Sequence, residues 1–285
     1  MKIIDIQKHW QQLPTLDIDL LLAGAIGQTR EYIYAHGDET VSIWQRLRFC
    51  WYLFDYKRGY CVAAILEHKE FYGLDFQVNK KVLIPRPDTE LLVATALEII
   101  KVSSSPDNIT LLDIGTGSGC IAIAILEALR PNQIEALGVD ISRSAVRLAR
   151  RNAARYKLAL PILRGNLLEP IFKKYPGITA QRRLVITANL PYLTSQQAQT
   201  EPSIAREPRR ALVANQEGLA AYEKLFMQIK KIPNSSAPLS LSILCEIDPS
   251  QAQRLPLMIL NYFPGALIEI KNDLSGQQRL VIIRK

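Results

Sequence analysis

Leu111-Leu112-Asp113-Ile114 runs straight into Gly115-Thr116-Gly117-Ser118-Gly119 and then into Cys120-Ile121-Ala122-Ile123. A short apolar run, three glycines at alternate positions and a longer apolar-rich segment predict a strand, a tight turn and a helix. Glycine lets the backbone take positive φ there and lets a ligand come close to the main chain. Such a unit needs a sheet to sit in, and the downstream chain supplies one. The patterning predicts strands over 110–114, 134–140, 161–163, 184–188 and 239–246, and helices over 120–129, 143–156, 218–229 and 251–260. This alternation predicts an α/β fold, a parallel sheet with helices on both faces. Apolar runs at 267–270 and 279–283 close it as a hairpin.

Upstream the periodicity is helical. Leu16, Leu20, Leu21 and Leu22 fall on one side of a helix whose end Gly24 and Gly27 weaken. Asp38 is positioned to cap a longer helix with apolar positions at Val41, Trp44, Leu47 and Trp51. From Phe71 short alternating runs, with a turn cluster at Asn79-Lys80-Lys81 and a further run Val82-Leu83-Ile84, predict a hairpin. Pro85-Arg86-Pro87 stops it, and Asp88 or Thr89 can cap a helix through Leu91, Thr95 and Ile100 that Ser103-Ser104-Ser105-Pro106 ends. The expected organisation is a helical unit over 1–70, a hairpin linker over 71–84 and an α/β domain over 85–285.

Composition narrows the class. The 285 residues are 48% hydrophobic and 22% charged, enough for a substantial core in about two domains. The apolar stretch 41–66 is broken by Arg46, Arg48, Asp55, Lys57 and Arg58 well short of a membrane span. Met1 to Trp10 carry Asp5, Gln7 and His9 where a secretory signal has a basic start and an apolar core. Cys50, Cys61, Cys120 and Cys245 lack C-x-x-C spacing, and His9, His36 and His68 form no ligand pair with a cysteine or carboxylate cluster. The expectation is a cytoplasmic protein in a reducing compartment, without a metal. The formal charge of +8 gathers at Arg143, Arg147, Arg150, Arg151 and Arg155, at Arg182 and Arg183, and at Arg206, Arg209 and Arg210. A basic surface favours nucleic acid or an acidic protein partner, though helical spacing makes the first cluster most simply a solvated face.

The glycine turn departs from the dinucleotide pattern G-x-G-x-x-G, because Cys120 stands where the last glycine would be. Asp113, before the first glycine, suits a cationic ligand better than a diphosphate. Asp140 closes the next strand at a spacing that allows it to accept from both hydroxyls of a ribose. The D-x-G-x-G-x-G pattern resembles motif I of the class I S-adenosylmethionine-dependent methyltransferases. The resemblance implies a seven-stranded methyltransferase sheet and a cofactor held by Asp113, Gly115, Thr116, Gly117, Ser118, Gly119, Asp140 and Asn189. Gly165-Asn166-Leu167 would lie beside the adenine, with Asn166 where the family often has Asp.

The acceptor stretch is Asn189-Leu190-Pro191-Tyr192, at the end of the apolar run 184–188. It suits a planar group carrying an NH2: the Asn oxygen accepts one N–H, a backbone carbonyl accepts the other, and the aromatic ring packs on the π-face. Two methyltransferase groups resemble it. Adenine-N6 methyltransferases often carry N-L-P-Y, as here, whereas the glutamine methyltransferases of peptide-chain release factors carry N-P-P-Y, from which Leu190 departs. The flanks favour the second group. Lys69 to Phe76, Val82-Leu83-Ile84-Pro85-Arg86-Pro87-Asp88-Thr89-Glu90 with Asp88 for the usual Glu, Glu207-Pro208-Arg209-Arg210-Ala211-Leu212, and Glu217-Gly218-Leu219 with Tyr222 are all similar to its segments. The resemblance implies N5-methylation of the glutamine in the Gly-Gly-Gln motif of a release factor. Asn189, Leu190, Pro191 and Tyr192 would bind that glutamine and form the catalytic group, S-adenosylhomocysteine would be the product, and neither nucleic acid nor membrane would be required. An RNA or DNA adenine-N6 methyltransferase, and a non-catalytic S-adenosylmethionine-binding protein suggested by Asn166 and Leu190, are the alternatives.

Overall fold

A computed structural model describes residues 1–102, 109–131, 134–178, 183–200, 204, 206–215, 217–232 and 240–285. The helix stop at Ser103 to Pro106, Arg182 and Leu239 lie outside the described residues. Five helices open the chain: α1 (Ile3–His9), α2 (Thr15–Ile26), α3 (Arg30–Ala35), α4 (Ile43–Lys57) and α5 (Val62–Leu66). In α2 the buried face is Ile18, Leu21, Leu22 and Ala25, at helical spacing, while Leu16 is exposed. Gly27 ends this helix with φ of 82°. The longer α4 starts at Ser42, not Asp38: the Ser42 hydroxyl accepts from Gln45 N, and the Gln45 side chain takes the Ser42 N–H. It packs on α2 through Phe49 and Leu53, which leaves Trp44, Leu47, Trp51 and Phe54 exposed. The apolar spacing read from the sequence therefore marks the outer face of α4, because its inner face needs only two large side chains.

The hairpin is β1 (His68–Phe71) and β2 (Leu74–Gln77), turning at Tyr72-Gly73 and not at Asn79-Lys80-Lys81. Both turn residues have positive φ, 52° and 69°, the geometry that matches the twist of a two-residue hairpin. Val82-Leu83-Ile84 forms no strand and runs on to Pro85.

The remainder is α6 (Glu90–Lys101), β3 (Ile109–Ile114), α7 (Cys120–Ala128), β4 (Glu135–Asp140), α8 (Arg143–Arg155), β5 (Ile162–Arg164), α9 (Glu169–Lys174) and β6 (Arg183–Ala188). Then come two short helices, α10 (Gln197–Thr200) and α11 (Arg209–Leu212), followed by α12 (Ala220–Lys230), β7 (Leu241–Glu246), α13 (Arg254–Tyr262), β8 (Leu267–Asn272) and β9 (Gln278–Arg284). The seven-stranded sheet has the order β5-β4-β3-β6-β7-β9-β8; the first five strands are parallel, and β9 runs antiparallel to both β7 and β8. Successive strand residues point to opposite faces. Leu111, Val185 and Leu244 meet Leu92, Ile121, Ile125 and Ala149 of α6, α7 and α8, whereas Leu112, Ile186 and Ile243 meet Leu225, Phe226 and Ile259 of α12 and α13.

Asn152 of α8 ties the hairpin to this body. Its Oδ1 accepts from Gln77 N at 3.0 Å, and its Nδ2 donates to the carbonyls of Gln77 at 3.0 Å and Ser118 at 2.8 Å. One buried amide thus stands in for a neighbouring strand. The chain moves outward from β3 to β4 and β5, then returns to place β6 on the other side of β3, and that switch point is where open α/β sheets hold ligands.

Candidate functional site

A cleft of about 260 Å3 opens at the carboxyl ends of β3, β4 and β6. Its floor is the glycine turn. Gly115 N and Thr116 N both donate to Val139 O, at 2.8 and 2.9 Å, which lashes the turn to β4. Gly115 has φ of 75°, and a Cβ there would stand 2.8 Å from Leu190 Cδ2. Gly119 has φ of 84°, and its Cβ would meet Ile123 at 3.0 Å and Ala149 at 3.2 Å, so glycine lets α7 start close against α8. Asp140 stands at the rim, its Oδ2 accepting from Gly117 N at 3.0 Å and its Oδ1 from Ser142 N at 2.8 Å. Each oxygen keeps a lone pair for a further donor. Burial raises the Asp140 pKa, against the pull of those backbone N–H groups.

The opposite wall is Asn189-Leu190-Pro191. The Tyr222 hydroxyl braces it, its single hydrogen shared between Ala188 O at 3.2 Å and Glu246 O while it accepts from Leu190 N at 3.4 Å. Asn189 Nδ2 donates to Thr89 Oγ1 at 3.1 Å. Pro85 and Arg86 form a third side, and Arg86 pairs with the half-buried Glu207, joining this segment to Pro208, Arg210 and Ala211, which also line the cleft. Behind the Asn189 wall Glu246, at the end of β7, is 1% exposed, and burial pushes its carboxyl up to about 7.

Comparison with known proteins gives this geometry a family. Residues 89–190 match the family model for ribosomal protein L11 methyltransferase. The structure of the hMettl16 catalytic domain in complex with MAT2A 3'UTR hairpin 6 shares the fold, with a TM-score of 0.55 and 15% identity over 78% of each chain. A release factor glutamine methyltransferase of Bacillus subtilis is 31% identical over 266 residues, 92% of this chain and 88% of the relative. One of Haemophilus influenzae is 35% identical over 235 residues, 79% of this chain and 78% of the relative. The chain belongs to the release factor glutamine methyltransferase family.

In this family member the cleft brings together Gly115, Thr116, Gly117, Ser118, Asp140, Asn166, Leu167, Asn189, Leu190 and Pro191. Three residues expected at the ligand are placed elsewhere. Asp113 is fully buried beneath the turn: its Oδ2 accepts from the Thr116 hydroxyl at 2.6 Å, and its Oδ1 from that of Thr187, its register partner on β6, at 2.9 Å. Burial raises its carboxyl to about 6, and it holds the turn instead of facing the cleft. Gly119 is spent on the contact between α7 and α8. The Tyr192 ring does not line the cleft; its hydroxyl donates to Glu246 Oε1, at the end of β7, at 3.4 Å.

Two residues of this neighbourhood carried no sequence signal for their place in it. Thr89 reads as a helix cap, yet its side chain makes no cap bond and receives Asn189 instead. Glu246 reads as the polar end of an apolar strand, and only the sheet order reveals it beside β6. Among the described residues there is no group of His, Cys, Asp and Glu able to hold a metal, and no helix long and apolar enough to cross a membrane.

Proposed function

We propose that this protein transfers a methyl group from S-adenosylmethionine to the side-chain nitrogen of the glutamine in the Gly-Gly-Gln loop of a peptide-chain release factor, releasing S-adenosylhomocysteine. The observation that carries this reading is the shared cleft: the glycine turn and Asn189-Leu190-Pro191 face one another across it, with Leu190 packed on Gly115. Bound there, S-adenosylmethionine supplies an electrophilic methyl group on a sulfonium. The residues present fit it. Asp140 has lone pairs for ribose hydroxyls, Ile141, Ala145 and Leu167 offer apolar walls to the base beside Asn166, and residues 115–118 bring backbone close to the rest.

An amide nitrogen is a weak nucleophile because its lone pair is delocalised, so the protein's task is to hold and aim it. Asn189 Oδ1 accepts one N–H of the acceptor amide and the Leu190 carbonyl the other, with Pro191 fixing the backbone between them and Tyr192. The nitrogen forms the bond to the methyl carbon as the methyl–sulfur bond breaks with its electron pair left on sulfur, and the proton the nitrogen loses passes to water. Positioning and exclusion of water lower the barrier by several kcal/mol without a strong base.

Residues 1–70, with the hairpin 71–84, present the release factor to the methyltransferase portion 85–285, in the cytoplasm. The exposed row Trp44, Leu47, Trp51 and Phe54 on α4, beside Arg48 and Arg58, supports a protein partner on that side. The test is incubation with labelled S-adenosylmethionine and purified release factor, beside a factor whose acceptor glutamine is changed to alanine. Label on the first alone is expected, and equal labelling refutes the assignment. Leu190 favours one other reading, an adenine-N6 acceptor, which label on ribosomal RNA and not on protein would establish.

A further inference from the structure

The outer face of α8 carries five arginines, no lysine and no carboxylate. Arg143, Arg147, Arg150 and Arg151 fall within an arc of about 100° around the helix and are all exposed, while Leu148, Ala149 and Asn152 on the opposite side are buried. Arg164, at the end of β5, joins them, and the five side chains line a shallow groove of about 490 Å3. The arrangement works against the helix that bears it. Arg143 stands in the first turn, where the macrodipole disfavours a cation, and 143–147 and 147–151 are like-charge pairs one turn apart. Among the described residues no carboxylate lies within ion-pair reach of any of the five. The repulsion is relieved when an anion enters the groove.

Two of the five are already held in place. Arg150 Nη2 donates to Ile162 O at 2.7 Å, and Arg164 Nε donates to Ile141 O at 3.4 Å. A guanidinium has five N–H groups in a fixed fork, so each keeps most of its donors for a ligand.

What the groove has and lacks defines that ligand. A single small anion occupies one or two guanidinium forks, whereas Arg143 to Arg151 span about 12 Å of helix, a length that meets several successive phosphates of a nucleic acid. Planar forks pair with phosphate oxygens two bonds at a time. An acidic protein partner calls for an apolar or aromatic anchor, but among the described residues the groove offers only Val146, which is 5% exposed, and Ala154. Unpaired bases call for rings to stack on, and the lining has none. Sequence-reading of DNA calls for an element that enters the major groove, whereas α8 is buried along its inner side and presents arginines alone. Contact with the backbone, led by shape, is how double-stranded RNA is held.

We infer that the groove between α8 and β5 binds double-stranded RNA through its phosphates, without reading its sequence. The groove shares no lining residue with the cleft, so this is a function beside methyl transfer and does not depend on which acceptor the cleft takes.

The experiment measures, by fluorescence anisotropy on the full chain without methyl donor, the affinity for a labelled RNA duplex of about 16 base pairs. A DNA duplex of the same sequence and a polyglutamate peptide are the comparisons, each over about 50 to 200 mM salt. The RNA duplex is expected to bind most tightly, with log Kd rising against log salt at a slope of about 4, close to one per guanidinium. Arg147→Ala combined with Arg151→Ala removes two forks that hold no backbone group and puts the best helix former in their place. That variant is expected to bind RNA about tenfold more weakly with a slope lower by about 2, its Tm and its methyl transfer unchanged. Arg147→Lys combined with Arg151→Lys keeps both charges and restores the slope. An alanine pair within about twofold of wild-type RNA affinity, a slope near zero, or DNA or polyglutamate bound as tightly as RNA overturns the inference. Because binding is read without methyl donor, its outcome stands apart from the fate of the release-factor assignment.

Discussion

Replacing Asn152 with alanine separates the hairpin from the body of the enzyme at one point. The side chain is 0% exposed and makes three hydrogen bonds, two with the backbone of Gln77 and one with Ser118 O. Alanine leaves one donor and two acceptors without a partner, each worth about 1–3 kcal/mol if water cannot replace it. Gln77 is exposed, so water recovers much of the loss on its side; Ser118 is 2% exposed and recovers little. The net cost is therefore about 2–4 kcal/mol, which for a chain of this size lowers Tm by roughly 4–10 °C. Ser118 also lines the cleft proposed for the cofactor, so affinity for S-adenosylmethionine is expected to fall together with Tm. Calorimetry and cofactor titration of the purified variant measure both. A variant that melts within about 1 °C of wild type would show that the amide does not tie hairpin to sheet.

Asn189→Ala is expected to abolish transfer to the release factor while leaving cofactor affinity nearly unchanged, and retained turnover would remove Asn189 from the mechanism. Tyr222→Phe leaves Leu190 N without its acceptor, which costs about 1–3 kcal/mol in urea unfolding and raises KM for the release factor. Asp113 and Glu246 are raised by burial from 3.8 to about 6 and from 4.5 to about 7. For both, the folded chain binds the proton more tightly than the unfolded chain, so their contribution to stability is largest in acid and is lost as pH rises toward 7. The urea midpoint attributable to them therefore falls between about pH 4 and pH 7, and Glu246→Gln flattens the upper part of that fall. A midpoint slope unchanged by Glu246→Gln would show that its carboxyl is not raised in the folded state.

Local pattern carried most of the α/β fold. Short apolar runs ending at Ile114, Asp140, Ala188 and Glu246 could only be parallel strands once helices separated them, and the glycine turn marked which one begins the site. What depends on long-range packing was less legible. Trp44, Leu47 and Trp51 have the spacing of a buried stripe and lie outside, because spacing identifies a face without saying which neighbour it meets. Asp113 and Thr187 are 74 residues apart and meet only through strand register, so a carboxylate read as a ligand became a brace for the turn. Thr89 and Asn189 meet across 100 residues in the same way. The charge cluster on α8 partly declared itself: Arg155 pairs with Asp75 of the hairpin, and Arg150 donates to Ile162 O at 2.7 Å.

Leu190 resting on Gly115 makes positions 115 and 190 a single design decision. With Leu190 in place, alanine at 115 is excluded twice, by the positive φ and by the 2.8 Å approach to Cδ2. Trimming Leu190 removes only the second obstacle. Changes at the two positions are therefore non-additive, and a double-mutant cycle on cofactor affinity would report a coupling energy between a residue of the proposed cofactor site and one of the proposed acceptor site. A lineage that alters position 190, in the proposed acceptor motif, alters in the same step the packing of the glycine turn proposed to carry the methyl donor.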